Sequence, residues 1–310
     1  MIVKKPRFTI FTPTFNRGPF LKNVYNSLLE QTYSDFEWVI VDDGSTDNTQ
    51  KICHEFIEEK LINIRYYKKE NGGKYTAWSF GLSKFSGKYV VCADSDDLKT
   101  PNMLEVYNYH WQLLENSIEY ESFWEIKTRC KDQNNQLVGT DHGIEILDSN
   151  NNDYYYKYKY KGELSACRKL KVLLNEANFP KDFIFSDKCS HFSDGIVWSR
   201  VSRKYKTRFV NVVTRIYYTN SKDSVSTGIS DKHRYNALVS CIYSLSERRD
   251  IFIKYDKKKY IKLLYQLPKL SFFLNENIKQ FKHLLKKNDL IIIMLIYQII
   301  KCFNKLKNKN

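Results

Sequence analysis

Close cysteine pairs are missing from this sequence. Its seven cysteines (Cys53, Cys92, Cys130, Cys167, Cys189, Cys241 and Cys302) are an odd number with no Cys-x-x-Cys among them. That spacing excludes a zinc ribbon and a thioredoxin-like motif, and scattered thiols suit a reducing cytoplasm. The six histidines include no His-x-x-x-His pair, so the helical histidine metal site is absent too. No apolar run reaches the roughly 20 residues that span a bilayer. Residues 290–297 are eight apolar residues in a row, continued past Gln298 by Ile299 and Ile300. The start of the chain has no leader-like apolar stretch, because Lys4, Lys5 and Arg7 run straight into a strand pattern. No internal repeat is visible.

What is there points to a folded α/β protein. A chain of 310 residues with 42% hydrophobic content builds one large domain, or a domain with appendages, and is not generally disordered. The net charge of +15 is uneven. Residues 221–310 hold 19 Lys+Arg against 7 Asp+Glu, so +12 lies there. Such a balance suits a polyanionic surface, either anionic lipid or nucleic acid.

Apolar periodicity predicts strands at residues 8–12, 36–41 and 62–67 and another ending at Asp94. Helices between them carry Leu21, Val24, Tyr25, Leu28 and Leu29, then Ile52, Phe56 and Ile57, then Ala77, Trp78, Leu82 and Phe85. Strands alternating with helices imply a mostly parallel, Rossmann-like sheet flanked by helices. Beyond Pro101 the pattern blurs. Residues 103–114 read as a helix, 120–130 as a strand, 154–161 as a Tyr/Lys-alternating strand, 166–175 and 195–204 as short helices, and 207–218 as a strand. From Lys232 onward the chain is helical and basic. The Tyr154–Tyr160 stripe suits an acceptor platform or a half-buried strand.

Three loops leave strand ends in the first hundred residues, at 12–16, 42–45 and 94–97. In a parallel sheet they share the edge where ligands bind. Asp94-Ser95-Asp96-Asp97 follows Tyr89-Val90-Val91-Cys92-Ala93, so an apolar strand ends in three carboxylates. On an extended chain Asp94 and Asp96 point the same way, a pair suited to a hard divalent cation bound to phosphate. Asp42 is placed to accept hydrogen bonds from a base or ribose, and the backbone at Pro13 and Thr14 to pack on the base. Lys74, beside Gly72 and Gly73, is placed to meet a phosphate or a uracil carbonyl. The competing readings are turn capping for Asp42, Asp43 and Asp97, and a solvated helix start for Lys74.

Thr12-Pro13-Thr14-Phe15-Asn16-Arg17, Val41-Asp42-Asp43-Gly44-Ser45-Thr46-Asp47, Asn71-Gly72-Gly73-Lys74 and Asp94-Ser95-Asp96-Asp97 resemble, in order and spacing, glycosyltransferase family 2, the inverting enzymes of the GT-A fold. The resemblance covers Arg7 to about Met103. It implies sugar transfer from a nucleotide-diphosphate donor, UDP-sugar favoured, with Mg²⁺ or Mn²⁺ held by Asp96. It implies a donor site drawn from Thr12, Pro13, Thr14, Asn16, Asp42, Asp43, Lys74, Asp94, Ser95 and Asp97, with Asp42 on the base and Asp94 on the ribose or sugar. The family's catalytic base precedes a helix leading to an aromatic strand. Asp194 in His191-Phe192-Ser193-Asp194-Gly195 matches best, Asp187 second, and many relatives carry Glu there. Asp194 as a helix cap and His191 as a structural histidine are the plainer alternatives.

The expected organisation is a nucleotide-sugar half (residues 1–100), an acceptor half (101–220) and a basic helical C-terminal region (221–310). Lysines at both ends of the 290–300 segment suit a helix lying in a membrane interface, or one docked on the enzyme itself. The resulting expectation is a cytoplasmic enzyme, peripheral at the inner face of the membrane, that adds a sugar to a glycan or lipid-linked acceptor in cell-surface polysaccharide synthesis. The absence of spanning helices disfavours a processive synthase. A nucleotidyltransferase would need a Gly-rich loop with Arg and Lys after the first strand. A nucleic-acid-binding module leaves the strand-end aspartates unexplained, so no nucleic-acid partner is expected. An inactive sugar-nucleotide binder conflicts with intact Asp94, Asp96 and Asp194.

Overall fold

The computed structural model describes residues 5–141, 143–178, 188, 192–217 and 231–307. The chain divides into two compact units, Met1–Phe179 with Val201–Lys222, and Pro180–Arg200 with Asp223–Asn310.

The first unit opens as its periodicity requires. β1 (Phe8–Thr14), α1 (Gly18–Leu29), β2 (Phe36–Asp42), α2 (Thr49–Glu59), β3 (Asn63–Lys68), α3 (Lys74–Leu82) and β4 (Tyr89–Cys92) alternate. β1 and β2 are buried along their whole length, which explains continuous apolar runs rather than alternation. The four strands pair in parallel in the order β3-β2-β1-β4. α1 lays Leu21, Val24 and Leu28 into the core, each worth about 1.5–3 kcal/mol of burial. Tyr25 stacks on Phe56 of α2 at 4.2 Å.

The rest of this unit extends the same sheet. β5 (Leu98–Lys99), α4 (Met103–Glu115), β6 (Phe123–Asp132), β7 (Ile146–Ser149), β8 (Leu164–Lys169), α5 (Leu170–Glu176) and β9 (Lys206–Tyr217) follow. β8 runs antiparallel to β4 and to β6, whereas β9 is parallel to β6 and antiparallel to β5 and β7. The sheet is therefore parallel in its first half and mixed in its second. Fully buried Glu125 of β6 crosslinks this second half, accepting from Arg168 Nε (3.2 Å), Thr207 Oγ1 (2.9 Å) and Asn151 Nδ2 (2.5 Å).

Two expectations need correction here. Residues 154–161 do not form a strand, because Asp153–Lys157 is a π-helical turn. Asn150 and Asp153 hydrogen-bond each other at its start, and Tyr154 stacks flat on Phe209 at 3.8 Å. Tertiary stacking and a local side-chain cap override the alternation. Residues 166–175 are likewise not one helix. Their first part is β8, held between β4 and β6, and only the remainder is helical.

The second unit is helical. It holds α6 (Asp194–Val201) as far as Arg200, then α7 (Asp231–Tyr255), α8 (Lys257–Phe273) and α9 (Lys287–Lys307). Residues 192–200 thus group with the C-terminal helices rather than with the sheet. Arg200 grips Glu247 of α7 with two bonds of 3.0 Å. Asp289 of α9 is buried between Arg249 Nε (2.7 Å) and Tyr260 Oη (2.5 Å), so three helices share one carboxylate. No helix among the described residues is long and apolar enough to cross a membrane.

Candidate active site

Parallel pairing brings three loops to one edge of the sheet. Thr14 lies opposite Asp42 in the β1–β2 register, and Phe11 opposite Cys92 in the β1–β4 register. The strands continue as backbone bonds, from Asp43 N to Thr14 O (2.8 Å) and from Ala93 N to Phe11 O (2.9 Å). The 12–16, 42–45 and 94–97 loops are neighbours, as the sequence implied.

The first two loops are stitched together by side chains. Asn16, in the left-handed region at φ +52°, accepts from Thr46 N (2.8 Å), while its own N–H donates to Ser45 Oγ (2.9 Å). Asn is among the few side chains that adopt this conformation at low cost. Thr12 is fully buried and accepts from the Trp38 indole N–H at 2.9 Å, so its hydroxyl serves the core. Pro13 and Thr14 end the buried strand, and Thr14 Oγ1 has no hydrogen-bond partner among the described residues.

Both aspartates of the second loop do the turn capping that the sequence offered as their plainer reading. Asp42 is fully buried and accepts from Ser45 N (2.7 Å) and from Tyr66 Oη (2.6 Å). Asp43 reaches the third segment of the site. It accepts from Gly73 N (2.6 Å), Gly72 N (3.0 Å) and Lys69 Nζ (2.5 Å). One buried carboxylate therefore shapes the turn ahead of α3, where Gly73 sits at φ +94°, a conformation that favours glycine. Lys74 then begins α3 and points its ammonium at Asp94, Nζ to Oδ1 2.6 Å.

The three carboxylates after β4 occupy three different environments. Burial alone would raise the Asp94 carboxyl, but Lys74 and Arg215 outweigh it and hold Asp94 far below the usual carboxylate range. Asp97 is buried against Arg215 Nη2 at 2.6 Å. Burial pushes it up to about 6, with Arg215 and Lys99 opposing and Asp94 and Asp96 adding to the rise. Arg215 bridges the two, lying 3.9 Å from Asp94. Asp96 has neither a hydrogen bond nor an ion pair to any described residue and is half-buried. The extended geometry expected for residues 94–96 is not what forms. β4 stops at Cys92, and a turn closed by Asp97 N to Asp94 O (3.2 Å) separates the two carboxylates into distinct surroundings.

Among the described residues no three His, Cys, Asp or Glu side chains converge to hold a metal ion. The donor set still fits a hard cation. Mg²⁺ is commonly held by one or two carboxylates, with waters and substrate phosphates completing its shell, and Asp96 is a carboxylate on the ligand-binding edge that pairs with no described residue.

Asp194 belongs to the second unit. It is the first residue of α6, one position past Ser193, whose carbonyl accepts from Ile196 N at 3.1 Å. Asp187 and His191 lie outside the described residues. Sequence reasoning missed Arg215, Lys99, Tyr66 and Lys69. Lys99 directly follows the carboxylates and carried a weak local signal. Arg215 carried none, since it arrives through the antiparallel β5–β9 pairing, Lys99 opposite Arg215.

Comparison with known proteins accords with this edge. Residues 9–123 match the model of glycosyl transferase family 2. The chain is 25% identical to glycosyltransferase GlyG of Streptococcus pneumoniae over 257 residues, covering 81% of this chain and 78% of the relative. It is 34% identical to TuaG of Bacillus subtilis over 103 residues, 33% of this chain and 40% of TuaG. S. aureus TarS, solved in complex with UDP-GlcNAc, aligns over 95% of this chain and 91% of its own with a TM-score of 0.59 at 15% identity. That last likeness is one of fold, the GT-A arrangement.

Proposed function

Because the chain belongs to glycosyltransferase family 2 and is a glycosyltransferase, we propose that it moves one sugar from a nucleotide-diphosphate sugar to a hydroxyl of a glycan or lipid-linked acceptor, with inversion and with a divalent cation. The observation that carries this reading is the 94–97 loop. Asp94 is held ionised between Lys74 and Arg215, while Asp96 carries a carboxylate with no hydrogen bond or ion pair to any described residue.

In this reading the oxygen of the acceptor hydroxyl bonds to the anomeric carbon as the bond to the diphosphate oxygen breaks, and Asp194 takes the hydroxyl proton. Lys74 and Arg215 offset the charge growing on the departing diphosphate. Asp96 would hold Mg²⁺ or Mn²⁺, which when bound supplies Lewis-acid stabilisation of that leaving group. Asp43 and Asp42 act by holding the loops that line the donor. Asp97 acts through Arg215.

UDP is the favoured nucleotide, by analogy with the UDP and UDP-GlcNAc complexes of TarS. The name of TuaG assigns it to teichuronic acid biosynthesis, which supports a role in cell-surface polysaccharide synthesis. An acceptor carried on lipid implies work at the inner face of the cytoplasmic membrane.

The test is thermal stabilisation by UDP, GDP, CMP and dTDP, each with and without Mn²⁺. Ligand at 100 times its dissociation constant adds about 2.7 kcal/mol. A Mn²⁺-dependent shift with UDP that disappears in Asp96→Ala is the expected result. A folded protein that responds to none of the four overturns the donor-site reading.

A further inference from the structure

We propose that an exposed stripe on α9 is the surface that seats this chain on an anionic lipid bilayer. The inference rests on the membrane-side reading above and names the face that makes the contact. Ile291, Ile292, Leu295, Ile299 and Phe303 are between 41% and 65% exposed. Positions 291, 295, 299 and 303 recur every four residues, with Ile292 beside them, so all five share one helical face. The stripe runs along about 18 Å of helix at 1.5 Å per residue. The opposite face is already occupied: Asp289 is buried with Arg249 and Tyr260, Ile293 is fully buried, and Tyr297 meets the Phe272 ring at 6.2 Å. The helix is thus docked on its own unit through one face, and its other face is apolar and open.

Charge selects the occupant. Asp289 is the only acidic residue in α9, and it is buried and neutralised by Arg249. The segment otherwise carries Lys287, Lys301, Lys305 and Lys307, with Lys286 just before it. An apolar strip in a segment this rich in lysine matches an interface whose apolar layer lies beneath anionic headgroups. A second copy of this chain is a poor match, because it would bring the same positive surface against itself. The geometry is that of a helix lying in the interface plane, since no helix among the described residues is both long and apolar enough to span.

Two measurements test this on the full chain. Co-sedimentation uses vesicles of phosphatidylcholine with and without phosphatidylglycerol. The wild type should bind only the anionic vesicles, and binding should fall at least about tenfold in Leu295→Glu/Ile299→Glu and again in wild type at high salt, where the Debye length shrinks to about 3 Å. Cys302 is an exposed thiol on this face, whereas the other described cysteines are buried or half-buried. An environment-sensitive fluorophore on it should shift to the blue with anionic vesicles, with Cys302→Ser as the labelling control. Circular dichroism and the UDP–Mn²⁺ thermal shift should be unchanged in the double variant. Wild type left in the supernatant, or a double variant that binds as wild type does, overturns the proposal. So does self-association in sedimentation velocity that the double variant abolishes without any vesicle binding. Loss of the nucleotide shift with vesicle binding intact strikes the donor-site reading alone.

Discussion

Replacing Arg215 with Met should destabilise the protein in a way that grows with pH. Arg215 Nη2 sits 2.6 Å from Asp97 and 3.9 Å from Asp94, and both Arg215 and Asp97 are buried. Removing one partner of a buried pair typically costs about 3–5 kcal/mol, because the other charge is left uncompensated. Here the abandoned charge is able to titrate. Even beside Arg215, burial lifts the Asp97 carboxyl from 3.8 to about 6. Without Arg215 it rises further, and the folded state takes up a proton sooner than keep a bare buried carboxylate. A folded-state value above the unfolded one means the folded state binds more protons. The stability this contributes is complete below about pH 4 and is lost as pH rises through the folded value. In the wild type that loss is over by a little above pH 6. In Arg215→Met the window extends upward, each added unit of pKa being worth about 1.4 kcal/mol. The variant's deficit should therefore be small near pH 5 and approach about 3–5 kcal/mol near pH 8. At about 2–4 °C per kcal/mol for domains of this size, thermal melts of both proteins across this pH range suffice. Arg215→Met/Asp97→Asn should melt higher than Arg215→Met at pH 8, since it buries no orphan charge. A deficit that is equal at both pH values, or larger at the acid end, refutes the reasoning.

Lys74→Met removes the nearest cation from Asp94. Because Asp94 is depressed in the folded state, its stabilising contribution is present above about pH 4 and lost as pH falls through its folded value. The variant should lose stability at higher pH than wild type on acidification, and its donor KM should rise about tenfold, both read from melts and initial rates over a pH series. Asp43→Ala should cost about 2–4 kcal/mol in chemical denaturation, since it strips the acceptor from Gly72 N, Gly73 N and Lys69 at once. An unchanged midpoint would mean that the turn before α3 holds without it. Asp194→Asn should lower kcat by about 10²–10⁴ while leaving the nucleotide thermal shift intact. Wild-type turnover in that variant would move the base to another carboxylate, Asp187 first.

How much of this was legible depended on the range of the interaction involved. The first four strands and three helices were readable because each buries a face set by local spacing, such as Leu21, Val24 and Leu28 in α1. The ligand edge was readable for the same reason, since parallel strands need only their order to bring the 12–16, 42–45 and 94–97 loops together. What local spacing could not supply was the partner of each carboxylate. The carboxylates of Asp94, Asp96 and Asp97 look alike in the sequence, yet Asp94 is paired with Lys74, Asp97 with Arg215, and Asp96 with no described residue. Arg215 reaches Asp97 only because a two-residue strand, Leu98–Lys99, pairs with β9 more than a hundred residues later, whereas Lys74 comes from the start of α3. The Tyr154 segment failed in the same way, because its alternation was outweighed by one stacked ring, Phe209, from that same distant strand. β9 therefore supplies both the cation that polarises the carboxylate run and the ring that refolds the tyrosine segment. A site whose charge states are set across the sheet must be assembled with β9 in register. Substitutions that slip β9 relative to β5 should accordingly disturb the Asp94 and Asp97 charges before they touch the loops themselves.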